Sequence, residues 1–311
     1  MMKNETYIHR LEQIHDFDHL EIIARFVVEG FITGLHKSPY HGFSVEFAEH
    51  RQYNTGESTR HIDWKLYART DRLYVKKFEE ETNLRSYLVL DTSSSMIFPY
   101  QSVEKVSKLA FSVISAAGLI HLLRNQRDAV GLMFFNENID LMTSARISQL
   151  HENYLFAQLK QLLQPYDVHS SKTSNISQAL HFLAENAHKR SLIMLFSDMF
   201  SDDTEEELFS ALQHLRFRKH EVILFHILDK KLEVNFEFSN RPYKFIDLES
   251  KTERKLNPNE IRNAYQQKVS HVAQTLKEKC TQYQIDFIEA DINEDFSQVL
   301  LPYLLKRNKL F

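Results

Sequence analysis

The stretch Ser86-Tyr87-Leu88-Val89-Leu90-Asp91-Thr92-Ser93-Ser94-Ser95 joins a continuous apolar run to a carboxylate and several hydroxyl groups. A short apolar run without alternation is typical of a strand buried on both faces, as in a parallel sheet covered by helices. The run Leu192-Ile193-Met194-Leu195-Phe196 has the same character and is followed by Ser197-Asp198. We therefore predict two central strands, each with polar side chains at its carboxyl end.

Around these two runs, segments with strand-like and helix-like patterns alternate from residue 86 onward. This alternation predicts an α/β fold with a doubly wound, mostly parallel sheet of about six strands and helices on both faces. Residues 229–256 interrupt the alternation and are predicted to form an extended β insertion. The predicted strands are 87–90, 129–135 with a hairpin partner at 138–142, 192–196, 221–228 and 284–289. The predicted helices are 101–124, 147–163, 176–189, one from about 204, one from 258 with an apolar stripe through Val272 and Cys280, and 295–306.

Residues 1–85 have a different character. Apolar positions at three- and four-residue steps predict one amphipathic helix at 17–33, with Gly34 as its C-terminal stop. Residues 38–85 are rich in turn residues, charges and aromatic side chains, with strand-like runs at 43–48 and 73–79. The sequence thus predicts an N-terminal helix and β segment at 1–85 and an α/β domain at 86–311.

The composition of this 311-residue chain argues against several classes of protein. A formal net charge of −4 gives no electrostatic footprint for nucleic acid, so we expect none as a partner. The chain has 6 glycines, where average usage of roughly 7% would give about 22. It has neither the G-x-G-x-x-G nor the G-x-x-x-x-G-K-[ST] pattern. This absence argues against a Rossmann dinucleotide enzyme and a P-loop NTPase.

The single cysteine and the hydropathy pattern indicate the compartment. Cys280 cannot form an internal disulfide, and its place in an apolar helical stripe predicts a packed thiol. No stretch approaches the roughly 20 apolar residues that a membrane span needs, and the first residues lack the apolar core of a signal peptide. We therefore expect a soluble, cytoplasmic protein without membrane insertion.

Three loops supply oxygen ligands of the kind that hold a small, hard cation. Asp91, Ser93 and Ser95 are spaced i, i+2, i+4 between a predicted strand and the next helix. A hydroxyl group from Ser174 and a carboxylate from Asp198 complete the set, leaving one position for water or for an acidic side chain of a partner. Mg²⁺ or Mn²⁺ matches these donors. The competing interpretation is structural, because Ser-rich loops at strand ends also cap helices.

Two further groups of residues have both a functional and a structural interpretation. His15 and His19 have the spacing of a helical zinc pair but lack a third ligand, so exposed surface is the favoured interpretation. A set of charged residues in the N-terminal segment is interpreted either as an active site or, preferably, as a network that locks two units together. These residues are Arg51, Arg60, Asp63, Arg69, Asp71 and Arg72.

Several motifs carry a family resemblance. They are His36-x-Ser38-Pro39-x-x-Gly42-x-Ser44-x-Glu46-Phe47, Arg51-x-Tyr53-x-x-Gly56, Arg60-x-Ile62-Asp63-Trp64, Ala68-Arg69-Thr70-Asp71 and Lys76-x-Phe78-Glu79-Glu80-Glu81-Thr82-Asn83. Together with Asp247 and the helix start at 258–265, they closely resemble the bacterial family known as domain of unknown function 58, over essentially the whole chain. The pattern Asp91-x-Ser93-x-Ser95-Met96 is similar to the metal-ion-dependent adhesion site of von Willebrand factor A domains.

The resemblance implies a von Willebrand A-like domain behind an N-terminal signature segment. Members of the family are typically encoded beside MoxR-type AAA+ ATPases, which implies an adaptor or co-chaperone in the maturation or metal loading of other proteins. Carried over onto this chain, Asp91, Ser93 and Ser95 match the first loop of the adhesion site, and Asp198 matches the third.

The second loop departs from the adhesion-site pattern. The usual threonine is replaced by Ser174, with Thr173 directly before it, so either hydroxyl group is a candidate ligand. Ser170-Ser171-Lys172 replaces the usual glycine-rich approach, and the Lys172 ammonium would oppose a dication if it pointed inward.

Three functional hypotheses follow. We expect a non-enzymatic, metal-dependent interaction protein whose partner is a MoxR-type AAA+ ATPase, its protein client or both. A rival is a Mg²⁺-dependent phosphoester hydrolase centred on Asp91, for which the sequence offers no evident general base. In the third, the fold is a scaffold with a vestigial metal site.

Overall fold

The computed structural model describes residues 20–35, 50–52, 67, 69, 74–76, 84–99, 106–164, 172–249 and 251–310. The chain divides into two compact units, one formed by Met1–Phe31 with Leu84–Phe311 and the other by Ile32–Asn83. The predicted strand at 43–48, both histidines of the proposed zinc pair and most of the charged signature residues lie outside the described residues.

The strands of the described ranges form one large sheet and two small antiparallel pairs, β1 with β2 and β8 with β9. They are β1 (His50–Gln52), β2 (Tyr74–Lys76), β3 (Arg85–Asp91), β4 (Ala129–Phe135), β5 (Ile139–Met142), β6 (Leu192–Ser197), β7 (Glu221–Leu228), β8 (Tyr243–Ile246), β9 (Glu253–Leu256) and β10 (Asp286–Asp291).

The central sheet has the strand order β10-β7-β6-β3-β4-β5. Its pairs are parallel except for β4 and β5, which are antiparallel. Strand β3, the first of this sheet along the chain, lies in its middle. Strands β4 and β5 extend the sheet on one side of β3, and β6, β7 and β10 extend it on the other, as in doubly wound folds. The predicted fold class is therefore confirmed, and the strand order reverses between β3 and β6.

Helices cover both faces of this sheet. Leu88 and Leu90 of β3 face a core shared with α1, α2, α3 and α7, whereas Tyr87 and Val89 face a core shared with α4, α5 and α6. No helix in the described part of the chain combines the length and apolar character needed to cross a bilayer. The helices are α1 (Leu20–Leu35), α2 (Lys108–Asn125), α3 (Gln149–Gln161), α4 (Ile176–Asn186), α5 (Glu205–Phe217), α6 (Pro258–Gln282) and α7 (Ser297–Leu310), with a 3₁₀ turn at Ser94–Ile97 and a π turn at Lys230–Val234.

Two of the predicted boundaries that differ from the structure have a clear local cause. Helix α2 begins at Lys108 instead of residue 101, because Ser107 has extended backbone and its hydroxyl group accepts a hydrogen bond from the N–H of Ala110. The last strand is Asp286–Asp291 instead of 284–289, because Gln284 has a left-handed backbone with φ of 57° that ends the preceding helix.

Three other predictions concern the end of helix α1, the apolar stripe of α6 and the insertion at 229–256. Helix α1 continues through Gly34 to Leu35, so the glycine does not stop it. On α6, Val272 is 55% exposed and leaves the predicted stripe, whereas Cys280 is fully buried, as predicted, and burial raises its pKa to about 12. The segment 229–256 is only partly an extended β insertion, because it opens with the π turn before the short β8–β9 hairpin.

Candidate functional site

The carboxyl ends of β3 and β6 lie side by side, because the two strands are parallel neighbours. Asp91 ends β3, Ser197 ends β6, and Asp198 follows it. The loop before α4 joins them, since the N–H of Ser94 donates to the carbonyl oxygen of Lys172 at 2.9 Å and the N–H of Lys172 donates to Oγ of Ser94 at 2.8 Å. All three predicted loops therefore reach one edge of the sheet.

Asp91 is fully buried at the centre of a hydrogen-bond network. Its Oδ1 accepts from the N–H of Ser93 at 2.9 Å, and its Oδ2 accepts from the hydroxyl groups of Ser174 at 3.1 Å and Ser197 at 2.8 Å. Burial, and next the negative charge of Asp198, raise the pKa of Asp91 to about 6, although hydrogen bonds from Ser93 and Ser197 oppose the shift. A positive charge placed nearby would stabilise this carboxylate.

The second loop presents Ser174 to the site. Of the two candidate hydroxyl groups, Ser174 donates to Asp91, and its side chain is buried. The ammonium of Lys172 lies 3.7 Å from Oδ2 of Asp140, and its side chain is 40% exposed. The lysine of this loop is thus paired with a carboxylate outside the predicted ligand set.

A different lysine reaches the site. Nζ of Lys108, the first residue of α2, lies 2.7 Å from Oδ2 of Asp198 and 2.6 Å from Oε1 of Glu233 in the π turn. Its side chain is only 2% exposed. Burial lowers the pKa of Lys108, but the charges of Asp198 and Glu233 outweigh it and leave that pKa above its ordinary value. An ammonium at a helix N-terminus opposes the helix dipole, so these carboxylates hold it there.

The loop that carries Asp198 has a fixed shape. Oδ1 of Asp198 accepts from the N–H of Phe200 at 3.1 Å, and its carbonyl oxygen accepts from Nε2 of His226 at 3.0 Å. Met199 has a left-handed backbone with φ of 55°, and its N–H donates to Oγ of Ser197 at 2.9 Å. A non-glycine residue in this conformation is strained, and the surrounding hydrogen bonds hold it.

The β8–β9 hairpin brings another carboxylate to the site. Oγ of Ser95 lies 3.1 Å from Oγ of Ser93, and the tip of the hairpin places Glu249 close enough for the site carboxylates to act on it. Burial, followed by the charges of Asp198 and Asp91, raises the pKa of Glu249 to about 7. The insertion therefore contributes two acidic side chains to the site, one from its π turn and one from its hairpin.

The charges of the site favour a cation. The site holds the carboxylates of Asp91, Asp198, Glu233 and Glu249, and the ammonium of Lys108 pairs with two of them, which leaves three negative charges in excess when all are ionised. In the described ranges, no group of three or more His, Cys, Asp or Glu side chains is arranged to hold a metal ion. A cation would therefore depend on serine oxygens as well as carboxylates, and this all-oxygen donor set fits Mg²⁺ or Mn²⁺.

The sequence model of the family described as "Protein of unknown function DUF58" matches residues 49–275, which is most of the chain. The chain belongs to the DUF58 family. The match is narrower than the whole-chain resemblance expected from the motifs, because it begins after the 36–47 segment and ends within α6. It includes all five predicted ligands and the insertion.

Two relatives from mycobacteria are similar to this chain. The "Uncharacterized protein Rv1480" of Mycobacterium tuberculosis and the "Uncharacterized protein Mb1516" of Mycobacterium bovis are each 23% identical over 212 residues, which is 68% of this chain and 64% of theirs. The chain therefore spans less than two thirds of the length of these relatives.

Three solved structures are similar to parts of this chain. An aerotolerance-related membrane protein from Bacteroides fragilis is 15% identical, with a TM-score of 0.43 over 72% of this chain and 99% of the other. The SpRpn10 VWA domain is 12% identical, with a TM-score of 0.35 over 46% and 75%. Proximal thread matrix protein 1 from the mussel byssus, in a structure described with a zinc-occupied MIDAS motif, is 13% identical, with a TM-score of 0.35 over 47% and 38%. These scores carry no functional conclusion.

Four residues of this DUF58 site were missed by sequence reasoning. Ser197 directly precedes a predicted ligand, and its place at a strand end was a usable signal. Glu233 and Glu249 lie in the insertion that leaves the carboxyl end of β7, at the same edge of the sheet, so its acidic residues were candidates by position. Lys108 gave no signal, because the predicted helix began at residue 101.

Proposed function

We propose that this protein is a non-enzymatic, metal-dependent interaction module. Mg²⁺ or Mn²⁺ would be held by Asp91, Ser93, Ser95, Ser174 and Asp198, and an acidic side chain of a partner protein would complete the coordination. The cation would supply an open coordination position that binds a carboxylate oxygen of the partner. The proposed partner is a MoxR-type AAA+ ATPase or its protein client, and this part rests on the family resemblance alone.

The observation that carries the proposal is the meeting of three separate loops at Asp91. Hydroxyl groups from the loop before α4 and from the end of β6 would have no reason to converge on one buried carboxylate if each merely capped a helix. Ser174 and Ser197 both donate to Asp91, whereas α4 is capped by Asn175 instead. A bound cation would also offset the excess of buried negative charge, because a buried carboxylate without a cationic partner costs free energy.

A metal-binding test uses the full chain and Mn²⁺ or Mg²⁺ alone. We expect calorimetric binding of one ion and a rise in melting temperature, corresponding to about 2.7 kcal/mol at a hundredfold excess over Kd. Asp91→Asn and Ser93→Ala should abolish both effects. Asp203→Asn is the matched control, because Asp203 accepts hydrogen bonds from Ser177 and Ser201 outside the predicted ligand set. Equal responses in all four proteins would refute the metal site.

The partner is tested separately. A pull-down of a purified MoxR-type ATPase should succeed with Mg²⁺ present and fail with EDTA or with Asp91→Asn. Capture that is equal with EDTA would refute metal-bridged docking.

A second candidate function is the Mg²⁺-dependent phosphoester hydrolase, and one side chain favours it. Burial and the charges of Asp198 and Asp91 raise the pKa of the Glu249 carboxylate to about 7, so it would be the general base that the sequence did not offer. Turnover of a phosphomonoester or phosphodiester substrate with Mg²⁺ or Mn²⁺, lost in Glu249→Gln, would favour this function over docking.

A further inference from the structure

The amino-terminal ends of the central strands form the edge of the sheet opposite the predicted metal ligands. Two backbone hydrogen bonds join neighbouring loops there: the N–H of Ala129 donates to the carbonyl oxygen of Leu84 at 2.9 Å, and the N–H of Glu221 donates to that of Ser191 at 3.0 Å. The segments that lead into β3, β4, β6 and β7 therefore form one surface, because these strands are parallel neighbours. We call this surface the amino edge; it comprises residues 84–85, 126–128, 187–191 and 218–220.

Each of the four segments of the amino edge carries a basic side chain that is exposed or half-buried. Three of the segments hold a basic residue in left-handed backbone, with φ of 56° at Arg127, 59° at Arg190 and 63° at Lys219. Glycine or asparagine is favoured in this conformation, so basic side chains occupy positions that the backbone alone would give to other residues. The basic residues are Arg85, Arg127, Lys189, Arg190, Arg218 and Lys219.

Most of these cations contact only neutral groups or water. Nη1 of Arg85 donates to Nδ1 of His188 at 3.1 Å, and Nε of Arg218 donates to the carbonyl oxygen of Ala184 at 3.0 Å. The lysines at 189 and 219 are exposed. Among the described residues, no carboxylate forms an ion pair with Arg85, Lys189, Arg190, Arg218 or Lys219.

Neither helix dipoles nor nearby carboxylates account for this charge. A dipole favours cations at the end of α5, but Arg85 starts a strand and Lys189 lies beyond the end of α4. The carboxylate of Glu221 is occupied by Lys306 at 2.8 Å, and the exposed Glu185 offsets at most one of the charges. An edge with this surplus of positive charge attracts a polyanion.

An exposed aromatic side chain lies among these cations. Phe217 ends α5 directly before Arg218 and Lys219, and it is 82% exposed. A soluble polyanion would need the cations alone. Cations next to an exposed aromatic side chain are instead the combination that binds anionic membranes, because the cations attract lipid phosphates and the ring enters the boundary between headgroups and acyl chains.

We propose that the amino edge binds the surface of a membrane that contains anionic lipids, with its basic side chains at the lipid phosphates and Phe217 among the headgroups. Strand β3 has seven residues, so this edge and the end of β3 at Asp91 lie about 20 Å apart. A domain bound in this way presents its predicted metal ligands to the solution, on the side away from the bilayer. The inference is independent of the proposed metal site.

The test is cosedimentation of the full chain with vesicles of phosphatidylcholine alone or of phosphatidylcholine and phosphatidylglycerol in equal parts. We expect binding to the anionic vesicles only, and the binding should weaken as salt is added. Lys189→Gln and Lys219→Gln should each weaken it about fivefold. The matched controls are Lys255→Gln on β9 and Lys268→Gln on α6, which remove exposed lysines outside the amino edge and should leave binding unchanged.

A second pair of variants tests the aromatic side chain. Phe217→Ala should weaken binding to the anionic vesicles, whereas Phe200→Ala should not, although Phe200 is also exposed, at 58%, in the loop after β6. Absence of binding to anionic vesicles, or equal effects of the edge and control lysines, would refute the proposal. Soluble polyglutamate that binds as tightly as the vesicles, with no effect of Phe217→Ala, would also refute it and would assign the edge to an acidic protein.

Discussion

Replacement of Lys108 by methionine removes the ammonium that lies between Asp198 and Glu233 while keeping most of the aliphatic stem. The side chains of Lys108 and Asp198 are only 2% and 7% exposed, so neither carboxylate nor ammonium has water as an alternative partner. Breaking a buried pair from one side costs about 3–5 kcal/mol, because the remaining charge stays buried and unpaired. Glu233 adds less, because its side chain is 29% exposed and can be partly hydrated.

We therefore expect the free energy of unfolding of Lys108→Met to fall by about 3–5 kcal/mol in EDTA. Urea or guanidinium unfolding of the full chain measures it as a lower midpoint with an unchanged slope. The loss should shrink when Mg²⁺ is added, because the variant has one more uncompensated negative charge at the site, and a bound cation would neutralise it.

The control is Lys306→Met. Lys306 also bridges two carboxylates, Glu221 at 2.8 Å and Asp286 at 3.0 Å, but their side chains are 32% and 47% exposed. Because these two carboxylates are partly hydrated, their pairs with Lys306 contribute less, about 0–1 kcal/mol. The reasoning is refuted if Lys108→Met costs no more than Lys306→Met, or if Mg²⁺ stabilises both variants equally.

Three further predictions concern the scaffold. Gly131→Ala should lower the free energy of unfolding by about 1–3 kcal/mol, because its Cβ would lie 2.9 Å from the carbonyl oxygen of Thr143 and 2.9 Å from the Tyr87 ring. Gly118→Ala is the control, because the nearest contact of its Cβ would be Leu300 at 3.6 Å. In the same guanidinium titration it should be neutral or stabilise the protein by up to about 1 kcal/mol. Thr204→Ala should cost about 1 kcal/mol through loss of the capping box with Glu207, and unfolding no easier than in the wild type would contradict it. The thiol of Cys280 should react with Ellman's reagent only after denaturation, since burial raises its pKa to about 12 and removes it from solvent; rapid labelling of the native protein would be the contrary result.

The sequence was sufficient for the architecture because its central strands are buried on both faces. The runs ending at Leu90 and Phe196 have no alternation, and only a sheet covered by helices on both sides accommodates them. Predicted helix boundaries are wrong where a polar capping residue sets the start of the helix. Apolar periodicity extended helix α2 back to residue 101, whereas Ser107 caps it, and periodicity carries no information about which serine uses its hydroxyl group in this way.

The residues of the site also fall into those that the sequence predicts and those that it does not. Asp91 and Asp198 were predicted because strand ends of a doubly wound sheet meet at one edge, which is a rule of topology, and Ser174 was predicted from its loop before the next helix. Lys108 and Glu249 reach that edge from a helix start and from a hairpin tip, and no spacing in the sequence relates either to Asp91. The contribution of Glu249 depends on how the insertion folds, which local pattern does not specify, since the insertion was predicted as extended β structure and contains a π turn.

These two missed residues should act on metal binding in opposite directions. The Lys108 ammonium competes for Asp198, so its removal leaves a carboxylate oxygen and one more negative charge for the cation, and Mg²⁺ should bind Lys108→Met more tightly than the wild type. Glu249 adds negative charge beside Ser95, so its removal should weaken binding. A merely structural role predicts weaker binding from both substitutions, because both would loosen the loops. The double variant separates the explanations: if the effects are electrostatic, its affinity for Mg²⁺ lies between those of the two single variants, whereas loosened loops would make it the weakest of the three.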